Sequence, residues 1–153
     1  VIATNATVDS GAYERSLRQA NPAIQVFSQA CPRLVPMIEG GQIHSPEIGQ
    51  VLQEYLQPLQ QAEVDTLIYG CTHYPFLEGW VQKLWPGIQT VDPAGAAVEE
   101  SWQILKERNL LAPAKAGSDL FLTTGDPQEF AVKGAAFLQG PLEHVQSISL
   151  DSW

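Results

Sequence analysis

Short apolar runs alternate along this chain with longer stretches in which apolar residues recur at helical spacing. This pattern is typical of repeated strand–helix units, which build a mostly parallel sheet flanked by helices. We therefore predict an α/β fold. The predicted strands cover residues 1–3, 24–27, 66–69, 88–91, 120–123 and 145–150.

Helices are predicted between these strands. Ser45-Pro46-Glu47 is a typical helix start, because serine caps the first turn and proline suits the first helical position. Apolar residues then recur at helical spacing and predict its buried face: Ile48, Val51, Leu52, Tyr55 and Leu59. The other predicted helices are one capped by Ser10 and helices over 31–38, 75–84, 94–108 and 127–138. Two candidate domain boundaries are the Pro/Ala/Gly-rich link over 111–117 and the pair Asp92-Pro93.

Composition narrows the function classes. The chain has 17 acidic and 8 basic residues, a net charge of −9 and no cluster of lysine or arginine, which argues against a nucleic-acid or anionic-membrane partner. No apolar run approaches the roughly 20 residues of a membrane-spanning helix. The two cysteines form neither a metal-binding spacing nor a disulfide framework, so we predict no metal site and a reducing, cytoplasmic compartment. The chain starts Val1-Ile2-Ala3, without methionine, and we interpret it as a piece of a longer protein.

The hexapeptide Gly70-Cys71-Thr72-His73-Tyr74-Pro75 directly follows the predicted strand over 66–69. Ligands of open α/β sheets bind at the carboxyl ends of the strands. A helix starting at Pro75 would place its partial positive charge near Cys71 and favour the thiolate, and His73 is a second titratable group within reach. The segment predicts a reactive cysteine with an acid/base neighbour, although most free cysteines are only small buried hydrophobes.

Other residues give weaker indications. Cys31 has no titratable neighbour in sequence and is interpreted as a packing residue, whereas Glu39 lies on a glycine-flanked loop and could point into a cleft. Polar residues also follow other predicted strands, at 4–7, 29–30 and Asp92, but loops are generally polar. Neither a nucleophile elbow nor a glycine-rich phosphate loop is present, so hydrolysis and phosphate binding are not favoured.

Four blocks taken together resemble glutamate racemase, the cofactor-independent bacterial enzyme that makes D-glutamate for cell-wall peptidoglycan. They are residues 2–13, 30–39, the Gly-Cys-Thr-His-Tyr-Pro segment at 70–75, and the closing segment around 122–126. Their order and spacing run nearly end to end. The resemblance implies a homodimeric, two-lobe enzyme in which residues 1–92 form the second lobe and residues 93–153 complete the first.

The resemblance also implies roles for individual residues. In the family two cysteines flank the substrate α-carbon, one removing the α-proton and the other delivering a proton to the opposite face. Cys71 matches the second of these catalytic cysteines, His73 a residue that assists it, and Glu39 a supporting acid. Substrate-binding positions are matched by Thr72, Thr4 and Thr7. No cofactor is implied, and the substrate is glutamate.

One departure from the family is large. The family's first half, with its own catalytic cysteine, has no counterpart in this sequence, so we expect this chain alone to be inactive. We also expect the last 60 or so residues to expose apolar surface. Two alternatives remain: an aspartate racemase, whose cysteine turn generally lacks the Thr-His-Tyr-Pro continuation, and a non-catalytic binding module derived from the family.

Overall fold

The computed structural model of the chain describes residues 1–112 and 118–150. The chain separates into two compact units, Val1–Asn109 and Leu110–Trp153. The break falls after Asn109 and not at Asp92-Pro93, because the helix that starts at Pro93 belongs to the first unit. Most of the predicted link over 111–117 lies outside the described residues. The assignment of 1–92 and 93–153 to two lobes of a larger enzyme stays a prediction.

The first unit contains a four-stranded parallel sheet. Its strands are β1 (Ile2–Ala3), β2 (Gln29–Ala30), β3 (Thr66–Gly70) and β4 (Gln89–Val91), in the order β2-β1-β3-β4. Ala3 of the central strand β1 is aligned with Ala30 on one side and with Gly70 on the other. The helices of this unit are α1 (Asn5–Ser10), α2 (Ala12–Ala20), α3 (Leu34–Glu39), α4 (Pro46–Gln61), α5 (Glu78–Leu84) and α6 (Pro93–Glu107), with a 3-10 helix at Tyr74–Leu77.

Helix α4 confirms the predicted start. The Ser45 hydroxyl accepts a hydrogen bond from the Ile48 N–H at 3.3 Å, and Pro46 occupies the first turn. Its buried face differs from the prediction, since Tyr55 is only partly buried whereas Gly49 and Leu56 are also buried. On the same face Gly49 lies directly beneath the Trp80 ring of α5, where a Cβ would come within 2.6 Å of the ring.

Two predictions near the N-terminus are wrong. The strand predicted at 24–27 lies later, at Gln29–Ala30, because the ladder with β1 is set by bonds from the Gln29 N–H to the Val1 carbonyl and from the Cys31 N–H to the Ala3 carbonyl. The polar residues after β1 form helix α1 and not a loop, with Thr4 as its N-cap. Helix α2 therefore starts after Gly11, whose positive φ of 61° lets the chain turn between two helices.

The second unit consists of the parallel strands β5 (Phe121–Thr123) and β6 (Val145–Ser147) joined through helix α7 (Pro127–Leu138). Asp126 caps α7 by accepting a hydrogen bond from the Glu129 N–H at 2.7 Å. Among the described residues, the buried apolar core lies entirely between Val1 and Ile88, whereas many large apolar side chains from Val91 onward are exposed, Val98, Trp102 and Leu138 among them. The expected exposure of apolar surface late in the chain is thus observed. No described helix is both long and apolar enough to cross a membrane.

Candidate active site

Three strand ends meet at one edge of the sheet in the first unit. Because Ala3 is aligned with both Ala30 and Gly70, the residues that follow them leave the sheet side by side. These residues are Thr4, Cys31 and Cys71. The two segments that the sequence analysis linked to chemistry, after β1 and after β3, are therefore neighbours.

Cys71, His73 and Glu39 form a continuous line of side chains at this edge. The Cys71 Sγ lies 3.9 Å from the His73 Nδ1, and the His73 Nε2 lies 3.1 Å from the Glu39 Oε1. Since an ionised carboxylate only accepts hydrogen bonds, this contact requires a proton on Nε2, whose N–H donates a hydrogen bond to Glu39. In the neutral ring this leaves the Nδ1 lone pair facing the sulfur, ready to accept the thiol proton.

The site is open enough for a substrate to approach. Cys71 is partly buried, and the His73 and Glu39 side chains are 24% and 38% exposed. Glu39 is the last residue of α3, so a helix end and the turn after β3 together position the pair. The structure thus brings together the three residues for which the resemblance implied catalytic roles.

The helix expected beside Cys71 takes another form. The chain continues as the four-residue 3-10 helix Tyr74–Leu77, and the α-helix α5 begins only at Glu78. The Tyr74 N–H bonds to the Cys71 carbonyl at 3.2 Å, which closes the turn tightly. The prediction that an α-helix begins at Pro75 is wrong, and so short a 3-10 helix aligns few peptide dipoles beside Cys71. The His73 imidazole, with its Nδ1 3.9 Å away, provides a polar group beside the sulfur.

Cys31 is a packing residue, in agreement with its interpretation from the sequence. Its side chain is fully buried, and burial raises the pKa of the thiol to about 12. Its Sγ lies 3.5 Å from the Gln29 carbonyl oxygen. The hydroxyl of Tyr74, also buried, donates to the Cys31 carbonyl at 3.1 Å and ties the Cys71 turn to the neighbouring strand end. Sequence reasoning missed this role of Tyr74, although a tyrosine between His73 and Pro75 in a buried turn is a signal for it.

The predicted substrate-binding threonines lie around the same edge. The Thr4 and Thr7 hydroxyl oxygens are 3.0 Å apart, and Thr4 also accepts a hydrogen bond from the Thr7 N–H at 3.4 Å. Thr72 is exposed beside Cys71. Asp92, another strand-end candidate, caps α6 by accepting from the Ala94 N–H at 3.0 Å. Within residues 1–112 and 118–150, no group of three or more His, Cys, Asp or Glu residues could hold a metal ion.

Comparison with known proteins identifies homologues of the chain. No family model matches the chain. A glutamate racemase from Carboxydothermus hydrogenoformans is 40% identical over 151 residues, which cover 99% of this chain and 57% of that protein. A second, from Trichodesmium erythraeum, is 42% identical over 98% of this chain and 56% of its own length. Glutamate racemases are thus homologous to nearly the whole of this chain.

A solved glutamate racemase also shares the fold. The crystal structure of the Francisella tularensis enzyme in complex with D-glutamate matches with a TM-score of 0.92 and 35% identity, over 99% of this chain and 57% of that one. The chain therefore spans just over half the length of the glutamate racemases that it matches. The resemblance stated from the four sequence blocks and the predicted α/β fold are both confirmed.

Proposed function

We propose that this chain supplies one half of the active site of an enzyme that interconverts L- and D-glutamate, with Cys71 as one of two proton-transfer groups. The observation that carries the proposal is the line from the Cys71 Sγ through His73 to Glu39 at the carboxyl edge of the sheet. A nucleophilic or basic sulfur is activated when a base contacts the thiol and a carboxylate in turn orients that base. The related proteins named glutamate racemase, including one solved with D-glutamate, support the choice of substrate.

The reaction needs no change of oxidation state. His73 takes the thiol proton at Nδ1, which leaves a thiolate on Cys71. The thiolate then removes the α-proton of one glutamate enantiomer: an S–H bond forms, and the electrons of the C–H bond stay on the α-carbon. A second acid on the opposite face delivers a proton to that carbon and inverts it. In the reverse direction Cys71 starts as the thiol and donates.

The carbanion-like transition state needs stabilisation by hydrogen-bond donors around the substrate carboxylate, since this reaction is proposed to use no cofactor. The hydroxyls of Thr4, Thr7 and Thr72 are proposed for that task, because they surround the strand ends that carry Cys71. Glu39 acts through His73, since its carboxylate holds the Nε2 proton and so aims Nδ1 at the sulfur.

The second acid is proposed to come from a polypeptide segment other than the described residues. Cys31 is unsuited, because its thiol is fully buried and its pKa is raised to about 12 by that burial. A chain that spans 57% of its relatives is consistent with this division of the site. We accordingly propose that the chain alone does not racemise glutamate. The whole enzyme would act as a cytoplasmic homodimer that supplies D-glutamate for peptidoglycan.

The proposal is tested by complementation. The chain is assayed for racemisation of L- and D-glutamate by chiral chromatography, alone and then mixed with the part of the Carboxydothermus hydrogenoformans enzyme that it does not match. We expect activity only in the mixture. Cys71→Ser should abolish that activity, and the matched control Cys31→Ser should retain it.

Other outcomes would decide against the proposal. Turnover of aspartate without glutamate would favour an aspartate racemase. An inactive mixture whose two parts demonstrably associate would favour a non-catalytic binding module. Activity in the chain alone would mean that the second acid lies within these 153 residues.

A further inference from the structure

The carboxylate of Glu78 is a junction of three elements. One oxygen accepts a hydrogen bond from the Tyr69 hydroxyl of β3. The other accepts from the Gln82 side-chain amide of α5 at 2.9 Å and from the Thr90 hydroxyl of β4 at 3.2 Å. The Gln82 amide also reaches the Ile88 carbonyl at 3.2 Å, just before β4. One side chain thus holds β3, α5 and β4 together.

The junction brackets the reactive turn. Tyr69 is two residues before Cys71, and Glu78 is the first residue after the 3-10 helix that follows His73. The Tyr69–Glu78 hydrogen bond therefore closes both ends of the segment that carries the thiol and the imidazole. Tyr69 is itself 3% exposed, so its hydroxyl is held in a fixed position within the core.

Electrostatics fix which groups donate and which accept. Burial raises the pKa of Glu78, but the hydrogen bonds from Tyr69, Gln82 and Thr90 lower it by more, so the carboxyl group is ionised at neutral pH. Burial, followed by the adjacent Glu78, raises the pKa of Tyr69, so the phenol keeps its proton and donates. A charge-assisted hydrogen bond of this kind is stronger than one between neutral groups.

We propose that Glu78 is a positioning residue that sets the geometry between the Cys71 Sγ and the His73 Nδ1. That contact, at 3.9 Å, is at the long end for a hydrogen bond to sulfur, so a small displacement of the turn breaks it. Glu78 does not touch the sulfur and acts through the backbone that it clamps. The inference rests on the proposed function for its catalytic meaning but concerns thiol reactivity, which this chain can show by itself.

The test measures alkylation of Cys71 by iodoacetamide between pH 6 and pH 9, followed by peptide mass spectrometry. Glu78→Gln and Tyr69→Phe each remove one side of the junction. We expect both to slow alkylation at neutral pH by about tenfold, and to shift the pH midpoint of the rate in the same direction as His73→Asn. The matched control Glu54→Gln, which breaks only the exposed ion pair with Arg33, should react like the parent chain.

A double variant separates positioning from a general loss of stability. If Glu78 acts through His73, adding Glu78→Gln to His73→Asn should cause little further loss, whereas independent effects would multiply. Parent-like alkylation in Glu78→Gln, or full multiplication in the double variant, would overturn the inference. Circular dichroism and urea unfolding identify the folded variants, and Tyr69→Phe, which keeps the carboxylate, serves if Glu78→Gln does not fold.

The outcome can be distinguished from failure of the proposed function. Slow alkylation in Glu78→Gln together with an inactive complemented enzyme would leave the positioning role intact and reject the racemase assignment. In an active complemented enzyme the same substitution should lower kcat and leave KM within about twofold, since Glu78 is not among the residues proposed to bind the substrate.

Discussion

The His73 Nε2 lies 3.1 Å from the Glu39 Oε1, although 34 positions separate the two residues in the sequence. One stands in the turn after β3 and the other at the end of α3. The contact converts two weak sequence indications into one acid/base unit, because a carboxylate that accepts from Nε2 aims Nδ1 at the Cys71 sulfur.

Removing the Glu39 charge should impair this unit without unfolding the chain. In Glu39→Gln the amide oxygen can still accept a hydrogen bond from the Nε2–H, but the neutral amide stabilises the imidazolium less than a carboxylate does. We therefore expect the kcat of racemisation by the complemented enzyme to fall about tenfold. Steady-state kinetics with L-glutamate provides the measurement. Glu54→Gln is the control, and equal rates in the two variants would reject a role for Glu39.

The two cysteines should differ sharply in reactivity. In the folded chain at pH 8 we expect iodoacetamide to modify Cys71, which is partly buried, while Cys31 is protected because its thiol is buried and its pKa is raised to about 12. Peptide mass spectrometry measures the extent of modification of both cysteines in one sample. In urea the two thiols should react at similar rates, and preferential modification of Cys31 in the folded chain would contradict the assignment.

A side chain at position 49 should lower the stability of the first unit. An added Cβ would come within 2.6 Å of the Trp80 ring, so Gly49→Ala must force α4 and α5 apart, and we expect it to lower the free energy of unfolding by about 2 kcal/mol. Gly79→Ala is the control within α5, since nothing lies within 4 Å of its added Cβ. That change should be neutral or stabilising by about 0.5 kcal/mol through helix propensity. Urea unfolding measures both, and equal stabilities would show that the helices can separate freely.

The Glu78 junction should make stability depend on pH in one direction. Its folded-state pKa lies below the ordinary glutamate value, so its contribution is present above about pH 4.3 and is lost as the pH falls through the folded-state value. We expect Glu78→Gln to lower the free energy of unfolding by about 2 kcal/mol at pH 7. The difference from the parent chain should narrow below about pH 4.

Urea unfolding of both proteins between pH 3 and pH 7 tests this dependence. The Glu54→Gln control should show a small difference that changes little with pH, because that ion pair is exposed. If the difference in the free energy of unfolding between the parent chain and Glu78→Gln grew as the pH fell, the native state would favour the protonated carboxyl group.

Local signals in the sequence predicted much of the framework. Helix α4 starts where Ser45 and Pro46 indicate, α7 covers the predicted 127–138, and β3 ends at the glycine before Cys71. These elements could be predicted because capping, proline placement and apolar periodicity depend on residues within a few positions of each other. The Gly-Cys-Thr-His-Tyr-Pro segment likewise indicated the family from the sequence alone.

Contacts between distant residues decided the rest. The apolar run that contains Ile24 and Phe27 predicted a strand. The hydrogen-bond register with β1 instead places β2 at Gln29–Ala30 and leaves both apolar side chains about 40% exposed. The 3-10 turn after His73, the contact of Glu39 with His73 and the junction at Glu78 likewise depend on which elements the sheet brings side by side. Apolar periodicity reports the environment of one segment, whereas strand register and side-chain pairing depend on the free energy of packing against segments far along the chain.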